Sequence, residues 1–333
     1  MKIICSVYHN PHFITITEYI EKAISNLGPQ LIVFDDRNHI IPGRIRRRIS
    51  CLHHLDLQYI NRTFNKLVSK TNPNVAIVTG GHRIVAKTVK RLNENGIQTA
   101  LWTIDAPTNF EPILKVAPYY DFVFCGGSEA QELLTANSIT NSIWLPFACD
   151  PTYHHAVDLT EEERATYTKD IAFVGSFYPC RWKILKQITD CDMGIWGPGW
   201  EKTGTTSCGN SVINNAMLSY SEVIKIFSAA KIVIVIHYQD ESTPCYQASP
   251  KVYEALACKS FLLVDRQQDV FKLFEDGTHL VGFDGYEDLR EKINYYIKHP
   301  GEREKIAEQG YMEVMKMHTY KHRINKILST LMV

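Results

Sequence analysis

The stretch KIVIVIHYQDESTPCYQASPKVYEALACKSFLLVD (231–265) decides the fold. It opens on an uninterrupted apolar run, 231–237, of strand length, as suits a parallel strand buried on both faces. A polar loop of eleven residues, 238–248, follows. Ser249 then stands where a helix N-cap belongs and Pro250 at the first helical position. A second apolar run, FLLVD, begins six residues after Ala255. Strand, short helix and strand imply a parallel pair with a right-handed crossover. A long polar loop feeding a helix at a strand's C-terminal end is also an anion-site arrangement, because the helix start offers unpaired N–H groups and a positive dipole end. Lys251 and Glu254, at i and i+3, share a face. Lys251 could meet a phosphate and Glu254 could accept hydrogen bonds from ribose hydroxyls. An ordinary ion pair on a connecting helix fits the spacing equally well.

The same alternation extends in both directions. Apolar runs at 3–8, 31–35, 75–81, 99–105, 121–126 and 142–146 precede a break near Asp150-Pro151, and runs at 170–176, 193–199, 231–237, 261–265 and 279–284 follow it. Helical segments separate most of them; HRIVAKTVKRLNENG (82–96) ends on a glycine, as a helix C′ position favours. The polar segment 151–170 reads as a linker or surface connection, 201–219 as a loop with one short strand, and 286–331 as almost wholly helical with a stop at His299-Pro300-Gly301. The expected architecture is α/β: two Rossmann-like, doubly wound domains, 1–155 and 165–333, with the terminal helices able to pack back on the first. Ligands of such sheets bind at the strand C-termini, so a cleft between the two sets of strand ends is the expected site.

With 333 residues, two domains are the natural division. Thirty-six basic and thirty-six acidic residues leave no formal charge, which removes the global electrostatic argument for a nucleic-acid partner. Nine cysteines without a CxxC pair give neither a disulfide framework nor a zinc signature, and point to free thiols in a reducing cytoplasm. The start of the chain reads as a strand rather than a signal segment, and the longest apolar run is far shorter than the roughly 20 residues a membrane helix needs.

A second candidate site element follows the strand DIAFVGS. Gly175 and Ser176 end it and Arg181 opens the next helix, a place for a diphosphate against a glycine loop and a guanidinium. A tight turn followed by a solvated arginine is the plainer reading. The pieces DIAFVGS…R (170–181), WGPGW (196–200), SYSEVIKIFSAAKIVIVIH (219–237), SPKVYEALACKSFLLVD (249–265) and 273–323, in this order and spacing, resemble the CgeB-type (spore maturation protein) glycosyltransferases. That group is related to the retaining glycosyltransferases of GT-B fold. The first half matches more loosely, through ALWTIDAP (100–107), YDFVFCGG (120–127) and SIWLPFACDP (142–151).

The resemblance implies a metal-independent, retaining sugar transfer from a nucleotide-sugar donor, UDP- or TDP-linked, to a glycan, protein or cell-surface polymer, with no other cofactor. Glu254 matches the ribose-binding glutamate. Lys251 stands where an arginine is usual, keeping charge but not bidentate geometry. Gly175, Ser176 and Arg181 match the phosphate-facing loop, and His237 ends the strand facing the donor. Ser249 belongs to the same site. Tyr246 occupies the position of a second glutamate eight residues before Glu254, a departure that bears on the stereochemical outcome. The base is expected to be read by backbone groups near Val212-Ile213.

For the acceptor, the resemblance points to the first half. His9 and Asn10 follow the first strand. Asp105, at another strand end, is the candidate general base or sugar-hydroxyl ligand; an N-cap before Pro107 is its plainer reading. His82, at a third strand end, is either a phosphate neighbour or a helix-start residue. Arg44, Arg47 and Arg48 share a helical face, and offer either a peripheral membrane or anionic contact or a solvated surface. Asp35-Asp36 reads as a strand-end turn rather than a metal site. Two rival functions keep the fold: a nucleotide-sugar epimerase and a non-catalytic surface protein.

Overall fold

The computed structural model describes residues 1–11, 14–37, 39, 48–105, 108, 110–240 and 242–332. The chain divides into two compact units, Met1–Pro146 with Lys321–Val333, and Phe147–Tyr320. The first unit ends earlier than the polar composition of 151–170 suggests. Phe147, Ala148 and Cys149 are buried, and within the second unit Cys149 bridges to Thr319 and donates its N–H to His318 O at 3.0 Å.

In the first unit the apolar runs become β1 (Lys2–Val7), β2 (Gln30–Asp35), β3 (Val75–Thr79), β4 (Gln98–Thr103), β5 (Phe122–Cys125) and β6 (Ser142–Trp144). All pair in parallel in the order β2-β1-β3-β4-β5-β6. The order reverses between β1 and β3, and side chains at the C-terminal ends of these two strands therefore border a crevice. Ile4, Ala76, Val78 and Leu101 from the strands join Phe64, Val89 and Leu92 from the helices in one core. The helix Ile16–Asn26 begins with a capping box: Thr15 accepts from the backbone, and Glu18 reaches back to the Thr15 N–H at 2.7 Å. Arg323, on the terminal helix Tyr320–Leu331, is buried and donates to Pro146 O at 2.9 Å.

The second unit holds β7 (Ile171–Val174), β8 (Met193–Gly197), β9 (Ser207–Cys208), β10 (Ser211–Asn215), β11 (Ile232–Val235), β12 (Leu262–Asp265) and β13 (Val281–Phe283). Their order is β13-β12-β11-β7-β8-β10-β9, parallel except for the β9–β10 pair. Here the reversal falls between β7 and β11. The segment 201–219 carries a two-stranded hairpin rather than one strand: Gly209, at φ +61, turns the chain where a Cβ would lie 2.0 Å from Thr189 O. The polar segment 151–170 is not a bare linker. It contains the helix Glu161–Tyr167, none of whose residues is buried, opened by a second capping box, Thr160 with Glu163. The helices Gly285–Lys298 and Pro300–Met317 meet at His299, where Pro300 cannot continue the first and starts the second. None of the described helices is long and apolar enough to cross a membrane.

Candidate functional site

In the second unit the chemistry gathers at the ends of β7, β11 and β12. The loop after β7 is held by its neighbour after β8. Gly175 donates its N–H to Trp196 O at 2.8 Å, and Phe177 donates to Pro198 O at 2.9 Å. Gly197 sits at φ +143 and a Cβ there would lie 2.2 Å from Gly175 O, so the two loops touch because Gly197 has no side chain. The buried Trp200 indole donates to Gly175 O at 2.8 Å and meets Phe173 and Phe177 edge-on. The backbone of Gly175 and Ser176 is thus fixed from below.

Arg181 lies in the first turn of the helix Pro179–Leu185. Its Nε donates to Ile236 O at 2.8 Å and its Nη1 to Ser176 O at 2.9 Å. The guanidinium thereby ties the β7 loop to the end of β11. Among the described residues no carboxylate pairs with it; Tyr178 and Phe173 flank it instead. A partly buried cation without an anionic partner is an electrostatic vacancy for an anion.

Ser249 caps the helix Pro250–Ala257 as expected, its Oγ accepting from Lys251 N at 3.3 Å. Lys251 Nζ lies 2.5 Å from Glu254 Oε2, an ion pair whose acid is almost buried. Burial, the largest influence, pushes the Glu254 carboxyl up, but Lys251 and the nearby His154 together outweigh it and hold the group below the ordinary carboxylate range. Burial also lowers His154, so Lys251 is the charge that counts. Glu254 Oε1 accepts no hydrogen bond among the described residues.

His237 is not a surface that a ligand can touch. The residue is 3% exposed. Its Nδ1 lies 2.5 Å from Asp265 Oδ1, and its Nε2 accepts the Ser249 N–H at 2.8 Å. Tyr246 is half-buried, and its carbonyl accepts from Asp269 N at 3.1 Å, while Gln267 Nε2 donates to Cys245 O and Gln247 O. Asp265 and Gln267, which hold this loop, escaped the sequence reading; the acid closing FLLVD was their only signal. Val212 and Ile213 lie in β10, where Val212 pairs with both β8 and β9 and the Ile213 N–H donates to Thr206 O at 2.8 Å.

The first unit carries a cavity of about 320 Å³ at its switch point. Tyr8 after β1, Asp36 and Arg37 after β2, His82 and Arg83 after β3, and Asp105 after β4 line it. Asp105 and His82, expected separately, come together: His82 Nε2 lies 2.6 Å from Asp105 Oδ2. Asp105 is therefore a strand-end partner of an imidazole, with Nδ1 of His82 open among the described residues. Burial pushes the Asp36 carboxyl up to about 6, against the opposing influence of Ser6, Arg83 and Arg37. His9 turns away from this cavity to Glu21, 2.8 Å away, and neither it nor Asn10 lines the wall. Arg44 and Arg47 lie outside the described residues; Arg48 is exposed. No cluster of metal-ligating side chains occurs among the described residues.

A family model described as "Glycosyl transferase-like" matches residues 181–329. Spore protein CgeB of Bacillus subtilis (strain 168) is 20% identical over 262 residues, 74% of this chain and 80% of that protein. Sucrose-phosphate synthase from Thermosynechococcus elongatus superposes with a TM-score of 0.70 at 12% identity, covering 99% of this chain and 98% of the other. Anabaena HepE in complex with UDP superposes at 0.67 with 11% identity, covering 99% of each chain. The resemblance to CgeB-type glycosyltransferases holds, and the fold is GT-B.

Proposed function

We propose that the chain transfers a sugar from a nucleotide-sugar donor bound on its second unit. The observation that carries this reading is the arrangement at the ends of β7 and β11. Among the described residues Arg181 has no carboxylate partner, the Gly175–Ser176 backbone is fixed beside it, and the Lys251–Glu254 pair stands in the first turns of a capped helix. Diphosphate oxygens would accept from Arg181, Lys251 and the Ser249 hydroxyl. Ribose hydroxyls would donate to Glu254 Oε1. These fixed donors stabilise the negative charge that grows on the leaving nucleotide, which is where such a site lowers its barrier. Arg181 and Lys251 are the cations at this site, and in this reading the transfer needs no metal and no cofactor beyond the donor. HepE, which shares the fold, was solved with UDP, and this supports a uridine or similar nucleotide as donor.

The acceptor reading belongs to the first unit's cavity. A hydroxyl of a glycan or protein acceptor would meet His82 and Asp105, with His9 and Asn10 left outside. The family resemblance favours a retaining outcome, although Tyr246 supplies no carboxylate for a covalent intermediate.

Thermal shift against UDP, GDP, TDP and ADP sugars tests the reading. Specific binding raises the melting temperature in step with ligand excess over Kd. Lys251→Ala and Glu254→Ala are expected to abolish that shift. Unchanged donor affinity in calorimetry for both variants would sink the donor site.

A further inference from the structure

The donor residues stand at two strand ends, after β7 and after β11, and a buried imidazole at the end of β11 ties the second of these to β12. Ser249 offers its backbone N–H to His237 Nε2 at 2.8 Å. An N–H donates only to an unprotonated nitrogen, so the ring proton resides on Nδ1. From there it is donated to Asp265 Oδ1 at 2.5 Å. The other oxygen of Asp265 accepts the backbone N–H of His237 itself at 2.9 Å. The carboxylate therefore fixes the residue twice, through ring and backbone, and its burial at 6% exposure keeps water from competing. The residue before His237 receives Arg181 Nε on its carbonyl, and Arg181 in turn holds Ser176 O. The charged groups facing this imidazole are thus Asp265 and, beyond the strand end, Arg181.

We propose that His237 is a positioning residue for the nucleotide. As a neutral ring protonated on Nδ1 and locked by Asp265, it holds the Ser249 cap and so sets where Lys251 and Glu254 stand. The inference rests on the donor reading above. Its content is distinct: the ring never meets the ligand, and it acts by accepting one N–H at the helix start.

Two substitutions separate the two ring nitrogens. His237→Gln can return an acceptor oxygen near Nε2 and so face Ser249. His237→Asn keeps an N–H beside Asp265 and removes the acceptor. UDP is the first probe in calorimetry, followed by GDP, TDP and ADP, at a temperature where both variants are folded. His237→Asn is expected to raise the nucleotide Kd about tenfold, the worth of one hydrogen bond to a group left unpaired, and His237→Gln less than about threefold. A role in stability alone would lower the melting temperature of both and leave Kd equal, which overturns the proposal. Should His237→Asn fail to fold, ¹⁵N spectra of the unaltered protein decide: the Nδ1–H tautomer with a slowly exchanging Ser249 amide supports the proposal, and an Nε2–H ring or a rapidly exchanging amide overturns it. Nucleotide binding with an Nε2–H ring overturns the positioning role alone. No nucleotide binding by the unaltered protein overturns the donor reading and this role with it.

Discussion

Replacing Lys251 by methionine keeps the length of the side chain and removes its charge. Glu254 is 8% exposed and its Oε2 lies 2.5 Å from Lys251 Nζ. Breaking a fully buried pair by removing one partner costs about 3–5 kcal/mol, because the other charge stays in low dielectric. Lys251 is about a third exposed in its side chain, 31%, and water takes over part of its task. Lys251→Met should therefore lose about 1–3 kcal/mol at pH 7. The loss carries a pH signature. In the unaltered protein Glu254 is held below its ordinary value of 4.5. Its contribution is present above that value and is lost as pH falls through the lower, folded one. In Lys251→Met burial is opposed only by His154, itself lowered by burial, and raises the carboxyl, so the variant recovers relative stability as Glu254 takes up a proton. Urea unfolding at pH 7, 6, 5 and 4 should show the gap between the two proteins closing toward the acid end. A gap that stays constant with pH, or none at pH 7, would falsify the pairing as the reason Glu254 remains charged.

Gly197→Ala should destabilise by about 2–5 kcal/mol in the same assay, because it combines a disfavoured φ with a 2.2 Å approach to Gly175 O; a loss under 1 kcal/mol would show that the loops can part. His82→Ala should lower transfer roughly 10²–10⁴-fold, as removal of an acid–base group does, and leave nucleotide affinity within about twofold; a parallel loss of nucleotide binding would contradict the assignment of the cavity to the acceptor. Asp36→Asn should flatten the pH dependence of stability between about 4 and 6. The Asp36 carboxyl is raised to about 6, so its favourable contribution is present below the ordinary 3.8 and disappears as pH rises through 6. An unchanged profile would count against the burial of that charge.

Much of the framework is legible in the chain because it depends on local rules. Each β-branched run became a strand, and Ser249-Pro250 became a cap and first residue, since a side-chain oxygen and a fixed φ act over one turn. The helix Glu161–Tyr167 was readable too. Thr160 and Glu163 form the T-x-x-E pattern of a capping box, and the polar composition around it obscured the signal. The site was legible only as residue types at strand ends. Which partner each side chain takes is a tertiary fact. His82 and Asp105 are 23 positions apart, and His237 and Asp265 are 28 apart. Only the sheet order brings such strand ends side by side. A histidine at a strand end reads as a ligand group until its two nitrogens are accounted for, and in His237 both are engaged inside the protein.

The two units have arrived at the same solution with different elements. In the first, His39 Nδ1 lies 2.5 Å from the buried Asp56, and Arg83 Nη1 donates to His39 Nε2 at 3.0 Å. In the second, Asp265 takes the Nδ1–H and Ser249 donates to Nε2. In each, a carboxylate fixes the tautomer, and the freed lone pair on Nε2 anchors a donor that borders a candidate site: a guanidinium lining the cavity, or the cap of the helix that carries Lys251 and Glu254. A carboxylate alone could accept the same N–H, but it would bring a full negative charge next to the place proposed above to receive phosphate or hydroxyl groups. The neutral imidazole moves that charge one ring further away while keeping the acceptor. Electrostatic economy of this kind accounts for why a buried histidine, rather than a second acid, stands at the end of β11.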